Sequence, residues 1–306
     1  MGTPHRFRAF VLGGILLLAG QPAVTRASEA VDLELALAVD VSGSIDEEEA
    51  MLQREGYIAA FHHPRVIQAV RSGYLGRIAV AYYEWAGFGH MKIIAGWTLV
   101  NDSASARAFA SKLTEGPPET ARRTAISEAI IFAVPFFDRN DFDGARRVID
   151  ISGDGPNNWG PLVTDARDAA VAAGATINGL PIINGRPSRW GGPSMPNLDL
   201  YYQDCVIGGP GAFIVVANEF KDFASAILRK LILEIAGEVP AGPVTAGSGT
   251  TRQSTYPVTP GHRVGAQPHR APSVFGTSSV RPRPAAFRIA PPCDAGERQM
   301  EDYEDF

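Results

Sequence analysis

The sequence predicts an α/β fold: a Rossmann-like, mostly parallel sheet with helices on both faces, followed by a disordered C-terminal tail. Three observations carry this. Apolar runs of strand length alternate with stretches of helical periodicity, the pattern of a parallel sheet covered on both sides. The run Leu33 to Val39 is continuously apolar but for Glu34, as a strand buried on both faces must be. That run ends in Asp40-Val41-Ser42-Gly43-Ser44, a polar loop at the carboxyl end of a strand, where open α/β sheets place their ligand sites.

The elements follow in order. Ser44-Ile45-Asp46-Glu47 has the spacing of a capping box, with acids where a helix dipole favours them. A helix is therefore predicted from Glu47 to about Phe61, ending near His62-His63-Pro64, where a helix-terminal imidazole is commonplace. Arg77 to Trp85 and Met91 to Leu99 are β-rich runs joined by Ala86-Gly87-Phe88-Gly89-His90, which reads as a hairpin. Ser103 to Leu113 and Thr124 to Phe137 are amphipathic helices, the second limited in its last turn by Pro135. Arg147 to Ser152 is a buried strand, followed by Gly153-Asp154-Gly155. Pro161 suits the first turn of the next helix and Gly174 its C-terminal cap. Thr176 to Ile183 and Ala212 to Ala217 are strands, separated by a Gly/Pro-rich insertion that carries Trp190, Tyr201 and Tyr202. A final helix spans Glu219 to Ile235, closed by Gly237. The folded domain thus covers residues 31–237.

The ends differ in character. His5, Arg6 and Arg8 precede an apolar run from Phe10 to Ala19 and a small-residue stretch from Ala23 to Ala30, the order of a secretory signal. Residues 1–27 are read as a signal peptide, with Ala30 a competing cleavage position. A membrane span needs roughly 20 apolar residues, about twice this run, so an uncleaved anchor is the weaker reading and no stable membrane span is expected. The expected location is exported, periplasmic or secreted. Residues 238–306 are rich in Pro, Gly, Ser and Thr, cannot bury enough surface to offset their chain entropy, and are expected to be a disordered tail. Beyond Glu238 its carboxylates cluster at the end, in Asp294, Glu297, Glu301, Asp302, Glu304 and Asp305, and read as a solvated acidic end. Two cysteines fall short of a disulfide framework; export would permit a Cys205–Cys293 bridge, but Cys205 reads as a packed core thiol. A formal net charge of −5 leaves no basic footprint, so no nucleic acid partner is expected.

Three separated pieces meet at the carboxyl rim of such a sheet: Asp40-x-Ser42-x-Ser44, Thr124 at a predicted helix start after Arg122-Arg123, and Asp154 between two glycines that let backbone approach closely. Carboxylates and hydroxyls are hard oxygen ligands, suited to Mg²⁺, Mn²⁺ or Ca²⁺ rather than zinc or copper. Ordinary loop-capping by Ser and Asp is the alternative reading of the same residues. No three His or Cys share ligand spacing, which argues against zinc.

In this order and spacing, Asp40-x-Ser42-x-Ser44 with Thr124 and Asp154-Gly155 resembles the von Willebrand factor type A (VWA) domain, over residues 31–237 and in an exported bacterial branch of that family. The resemblance implies a metal-ion-dependent adhesion site (MIDAS) made by Asp40, Ser42, Ser44, Thr124 and Asp154. In it the hydroxyls ligate Mg²⁺, with Mn²⁺ or Ca²⁺ as substitutes, directly or through water. Asp40 and Asp154 supply charge largely through water. It implies metal-dependent protein binding, with a partner's Asp or Glu completing the coordination, and no catalytic chemistry. Two positions depart from the pattern: many relatives carry Gly-Gly where this chain has Arg122-Arg123, and Thr where it has Gly153.

The competing reading is a metal-dependent phosphoryl-transfer hydrolase with Asp40 as nucleophile. Such enzymes usually want a second acid where Ser42 stands and a catalytic lysine, and Lys92 and Lys112 fall within predicted elements. No Gly-x-Ser-x-Gly elbow supports a serine hydrolase. Asn157 and Asn158 read as turn and cap residues or as part of a partner-binding rim, and Trp159, Trp190, Tyr201 and Tyr202 as packing or as exposed anchors. The acidic end, Glu301-Asp302-Tyr303-Glu304-Asp305, could present a carboxylate to the metal in cis or to a neighbouring copy.

Overall fold

A strand with apolar side chains on both faces must be covered on both faces, and the central strand dictates the layering. In the computed structural model, which describes residues 28–185, 194–240, 244–245 and 288–304, every residue of Leu33–Asp40 is buried. The expected signal segment, Trp190 and most of the expected tail lie outside the described residues.

In chain order the elements are β1 (Glu29–Val31), β2 (Leu33–Asp40), α1 (Glu47–His62), α2 (Pro64–Ser72), β3 (Ile78–Trp85) and β4 (Met91–Val100). Then come α3 (Ser103–Lys112), α4 (Ile126–Phe137), β5 (Phe142–Gly144), β6 (Arg147–Gly153), α5 (Val163–Ala172) and β7 (Ala175–Pro181). The last are α6 (Leu198–Tyr201), continued by a π-helical turn at Tyr202–Val206, β8 (Val215–Val216), α7 (Phe223–Ala236), β9 (Val244–Thr245) and α8 (Ala295–Glu304).

The main sheet has the order β4-β3-β2-β6-β7, parallel except for the β3–β4 hairpin. Segment 213–217 runs beside β7 through single bridges, Gly179 with Ile214 and Ile182 with Ala217, where the sequence predicts a strand. On one face, Leu33, Leu35, Leu37 and Val39 pack against α1, α2, α3 and α7. On the other, Ala36, Ala38, Ile149 and Ile151 pack against α4, α5 and the α6 region. The small alanines let α4 sit close to the strands, while the leucines fill the wider layer opposite. This is the predicted α/β sheet with helices on both faces.

The structure corrects four local readings. The capping box of α1 lies two residues further on: Asp46 Oδ1 accepts from the Glu49 amide at 2.8 Å and Glu49 Oε2 from the Asp46 amide at 3.1 Å, which leaves Ser44 free for another role. The Pro64 stop is also a start. Pro64 occupies the first turn of α2, where its missing N–H costs nothing, and His63 Nδ1 accepts from the Arg65 amide. Thr124 precedes α4 by two residues instead of opening it.

The fourth correction concerns the chain's end. Residues 288–297 pack on the domain instead of forming part of a solvated tail: Arg288 makes a two-pronged contact with Asp199, and Cys293 is disulfide-bonded to Cys205 with a Cα–Cα distance of 5.4 Å. Cys205 is buried as expected of a core residue, but as half of a bridge. Beyond it, α8 begins against the domain, with Gly296 so close to the Asn157 carbonyl that no side chain would fit. Among the described residues no helix is long and apolar enough to cross a membrane.

The bridge spans a sequence separation of 88 residues, so it removes much loop freedom from the unfolded chain. Replacing both cysteines by serine is expected to cost about 2–5 kcal/mol, read from urea unfolding midpoints. Proteolysis should then release the segment that carries α8 while the sheet domain stays intact.

Candidate functional site

Parallel pairing sets the site. β2 and β6 are hydrogen-bonded neighbours in a register that places Val39 opposite Ser152, so the two strands end nearly level. Asp40 is the last residue of β2, and Asp154 follows β6 directly. Both carboxylates therefore emerge at one carboxyl rim, and both are buried.

Around them the expected hydroxyls converge. Ser44 Oγ donates to Asp154 Oδ1 at 2.5 Å, and Ser42 Oγ lies 3.2 Å from Ser44 Oγ. Thr124 Oγ1 donates to Ser42 Oγ at 3.2 Å. Asp40 Oδ1 accepts from the Ser42 amide at 2.7 Å, which folds the loop back onto the strand end. All five residues singled out from the sequence thus lie in one connected set.

The electrostatics are unfavourable for the two acids alone. Burial, and then the negative charge of Asp154, pushes the Asp40 carboxyl well above the usual carboxylate range. Burial also raises Asp154, against hydrogen bonds from Ser44 and Asn184 that favour its charged form. Asp40 Oδ2 is buried without a hydrogen-bond partner, and so is the Tyr202 hydroxyl. A Cβ placed on Gly153 would fall 2.7 Å from Asp40 Oδ2 and 2.8 Å from Tyr202 Oη, so both atoms crowd the same glycine. Gly153 therefore leaves no room for a side chain unless one of these two atoms shifts.

Four contributors were not legible in the sequence. Asn184 Nδ2 donates to Asp154 Oδ2 at 3.0 Å from the start of the insertion after β7. Gln53 Nε2, on α1, donates to the Asp40 carbonyl at 3.0 Å. Tyr202 reaches the site from the π-helical turn, a shape that no periodicity announces. Gly87 takes up the departure at Arg122-Arg123: its N–H donates to both arginine carbonyls, and Arg123 adopts a left-handed φ of 68° that glycine would take more easily.

Asn157 and Asn158 act as clamps. Asn158 Oδ1 accepts from the Thr124 amide at 2.8 Å, and the Asn158 amide donates back to the Thr124 carbonyl at 2.8 Å. Asn157 Oδ1 accepts from the Ser127 amide at 2.9 Å, capping the first turn of α4 from outside. Tyr201 serves the same loop, its hydroxyl accepting from the Asn157 amide at 3.1 Å. The lysines weighed for catalysis are engaged elsewhere, Lys92 with Glu119 and Lys112 with Thr98. Next to the site, Phe88 is 59% exposed and packs against half-buried Trp159 at a 45° tilt, with ring centroids 4.3 Å apart. The Arg123 guanidinium lies 5.9 Å from the Trp159 ring.

Among the described residues no group of three or more His, Cys, Asp or Glu could hold a metal, so a cation here would depend on hydroxyls as well as acids. The donor set fits a hard divalent cation on two grounds. It offers two carboxylates and three hydroxyls, and it holds an unpartnered buried Asp40 oxygen whose charge only a cation or a proton would balance.

The family model described as "Protein of unknown function (DUF1194)" matches residues 30–239, and the chain belongs to that family. No curated protein matches it. Among solved structures it is similar to the pilus adhesin SpaC from Lactobacillus rhamnosus GG, at 12% identity and a TM-score of 0.50, over 67% of this chain and 31% of that one. It is also similar to a von Willebrand factor type A structure from Catenulispora acidiphila, at 13% identity and a TM-score of 0.46, over 68% of this chain and 43% of that one. A third is proximal thread matrix protein 1 from the mussel byssus with a zinc-occupied MIDAS motif, at 16% identity and a TM-score of 0.46, over 70% and 47%. The chain thus spans less than half the length of each of these three. The fold is VWA-like.

Gly153→Ala is expected to destabilise the protein by about 1–3 kcal/mol through overpacking. Tyr202→Phe should recover part of that loss in the same background, because it removes one of the two atoms the new methyl meets. A double-mutant cycle by urea unfolding measures this; equal costs with and without the hydroxyl would show that the tyrosine does not crowd the glycine.

Proposed function

We propose that this DUF1194-family chain is an exported protein-binding module whose VWA-like domain holds one divalent cation, Mg²⁺ in preference to Mn²⁺ or Ca²⁺, and through it takes a carboxylate of a protein partner. The observation that carries the reading is the convergence of Ser42, Ser44, Thr124, Asp40 and Asp154 at one strand-end rim with a buried Asp40 oxygen left unpartnered.

Ser42, Ser44 and Thr124 would turn their oxygens to the ion, and Asp40 and Asp154 would supply the compensating charge. Bound there, the cation supplies a Lewis-acidic position that a carboxylate oxygen can fill, since Mg²⁺ keeps several exchangeable waters. The Ser42 amide and Asn184 already hold the two carboxylates in place, so little reorganisation is needed on binding. Phe88, Trp159 and Arg123 form a rim of the aromatic and cationic kind enriched in binding hot spots. A carboxylate-bearing partner would meet the cation at the centre and this cluster at the edge. SpaC is named as an adhesin, which agrees with a binding role.

The acidic C-terminal end adds an internal competitor to this reading. The disulfide and Glu297, whose Oε1 accepts from Asn157 Nδ2, tether the chain three residues beyond Asp154, so carboxylates that follow the tether would act at high local concentration. Removing residues 294–306 should then strengthen partner binding and weaken the measured metal affinity; both unchanged would remove the competitor.

Calorimetric titration of the full chain with Mg²⁺ and Mn²⁺ is the direct test. Binding heat is expected in the wild type and its loss in Asp40→Ala; absence of any metal-dependent heat in the wild type overturns the site. Capture of partners from the exported protein fraction should fail in chelator and return on adding Mg²⁺. Phosphate-ester turnover that disappears in Asp40→Ala would instead support the hydrolase.

A further inference from the structure

A second cluster of ionisable side chains lies in the α7 layer, and nothing in the binding site uses it. Asp150 sits mid-strand in β6, and Lys230 and Glu234 lie one turn apart on α7. None of the three side chains is more than 1% exposed. Lys230 Nζ lies 2.5 Å from Asp150 Oδ1 and 2.5 Å from Glu234 Oε1. The contact to Asp150 is short but not aligned as a hydrogen bond, and Glu234 Oε2 has no partner. Asn178 anchors the acid by donating to Glu234 Oε1 at 2.9 Å, while its own Oδ1 accepts from the Phe213 amide at 3.1 Å. The Phe213 ring stands 5.8 Å from the ammonium nitrogen, and Tyr57, Phe223 and Leu231 belong to the apolar layer around it.

An amine, a carboxyl and a second acid held in contact in a dry pocket are the components of an amide-forming reaction. We propose that Lys230 and Asp150 condense to an intramolecular isopeptide bond, with Glu234 as the proton-transferring catalytic residue. The Nζ–Cγ bond forms and one Cγ–O bond of the Asp150 carboxyl breaks. Glu234 gives its proton to the departing hydroxyl and takes one from the attacking nitrogen, so one water leaves, no net charge appears and no other reactant is needed.

Charge balance favours this course. With ordinary protonation the three groups would place a net negative charge in the core, which burial penalises heavily. Burial, then the charge of Asp150, pushes Glu234 up to about 8, so the cluster gains a proton near neutral pH and becomes neutral overall. Passing one proton from the ammonium to Asp150 then leaves an amine and two carboxylic acids, an arrangement without any formal charge. Reacting groups fixed in contact reach effective concentrations of about 10⁵–10⁸ M in favourable cases. Exclusion of bulk water also opposes the reverse hydrolysis. The product would staple α7 to the middle of the central sheet.

The test is the mass of the full chain, expressed, reduced and denatured. It should be lighter by one water than its sequence requires, and fragmentation should place the link between a peptide containing Asp150 and one containing Lys230. Trypsin should fail to cut after Lys230. Asp150→Ala and Lys230→Arg should run at full mass, and Glu234→Gln should leave the pair largely unlinked. A wild-type chain at full mass overturns the proposal and leaves a buried ion pair, whatever the variants do. So does a water loss that persists in Asp150→Ala, because it would lie elsewhere, for instance at an Asp-Gly step.

Discussion

The level ending of two adjacent parallel strands is the constraint on which the rest depends. Because β2 and β6 pair in register to Val39 and Ser152, Asp40 and Asp154 leave the sheet side by side, inside the protein and close enough to raise each other's energy. Two buried carboxylates in that position are tolerable only if their surroundings supply donors or a cation. Each nearby feature follows from that need. The Ser42 amide turns back to Asp40, Ser44 gives its hydroxyl to Asp154 and leaves helix capping to Asp46, and Asn184 comes in from beyond β7. The proposed ion site thus follows from strand register together with the cost of burying charge.

Much of this was legible in the sequence because it is local. The apolar run to Val39 identifies a doubly covered strand, and the polar loop after it can only lie at the sheet's rim. The five expected site residues lie together for that reason. What was not legible is set by contacts between distant segments. A capping box can be read at Ser44 or at Asp46, and only the distant Asp154 decides which, by claiming the Ser44 hydroxyl. Pro64 carries the same signal for ending one helix and starting another, so α2 was hidden behind a predicted stop. Tyr202 and Asn184 belong to an insertion whose Gly/Pro content suppresses periodicity, and their roles depend on where that insertion folds back. The chain end was misjudged because composition describes the average of residues 238–306, whereas a single cysteine and a single arginine anchor its last part.

The strand β6 connects the two polar clusters of the molecule. Its end residue leads to Asp154 at the rim, while Asp150, four residues earlier, faces the α7 layer opposite α4. A sheet strand carries both because its side chains alternate between faces, and each face can bury polar atoms only in a closed set. The rim set is left open at Asp40, where a cation can complete it; the α7 set is enclosed, so its components can meet only one another. The same physical cost, charge without water, is what the proposed cation would relieve in the first and the proposed condensation in the second.

The loops that shape the rim are held from outside the sheet. Thr124 is positioned by Asn158, and the first turn of α4 by Asn157, whose side-chain Nδ2 also donates to Glu297 Oε1 at the start of α8. Tyr201 bonds the Asn157 amide and is carried on the same short helical region that bears Cys205, the partner of Cys293. The covalent tie between the insertion and the chain end therefore bears on the placement of Thr124, although neither cysteine approaches the site. Arg123 adds to this dependence, because a non-glycine residue held at positive φ persists only where its surroundings over-determine it. Thr124, which follows this strained residue, owes its position to segments far along the chain, whereas Asp40, Ser42 and Ser44 owe theirs to the strand that precedes them.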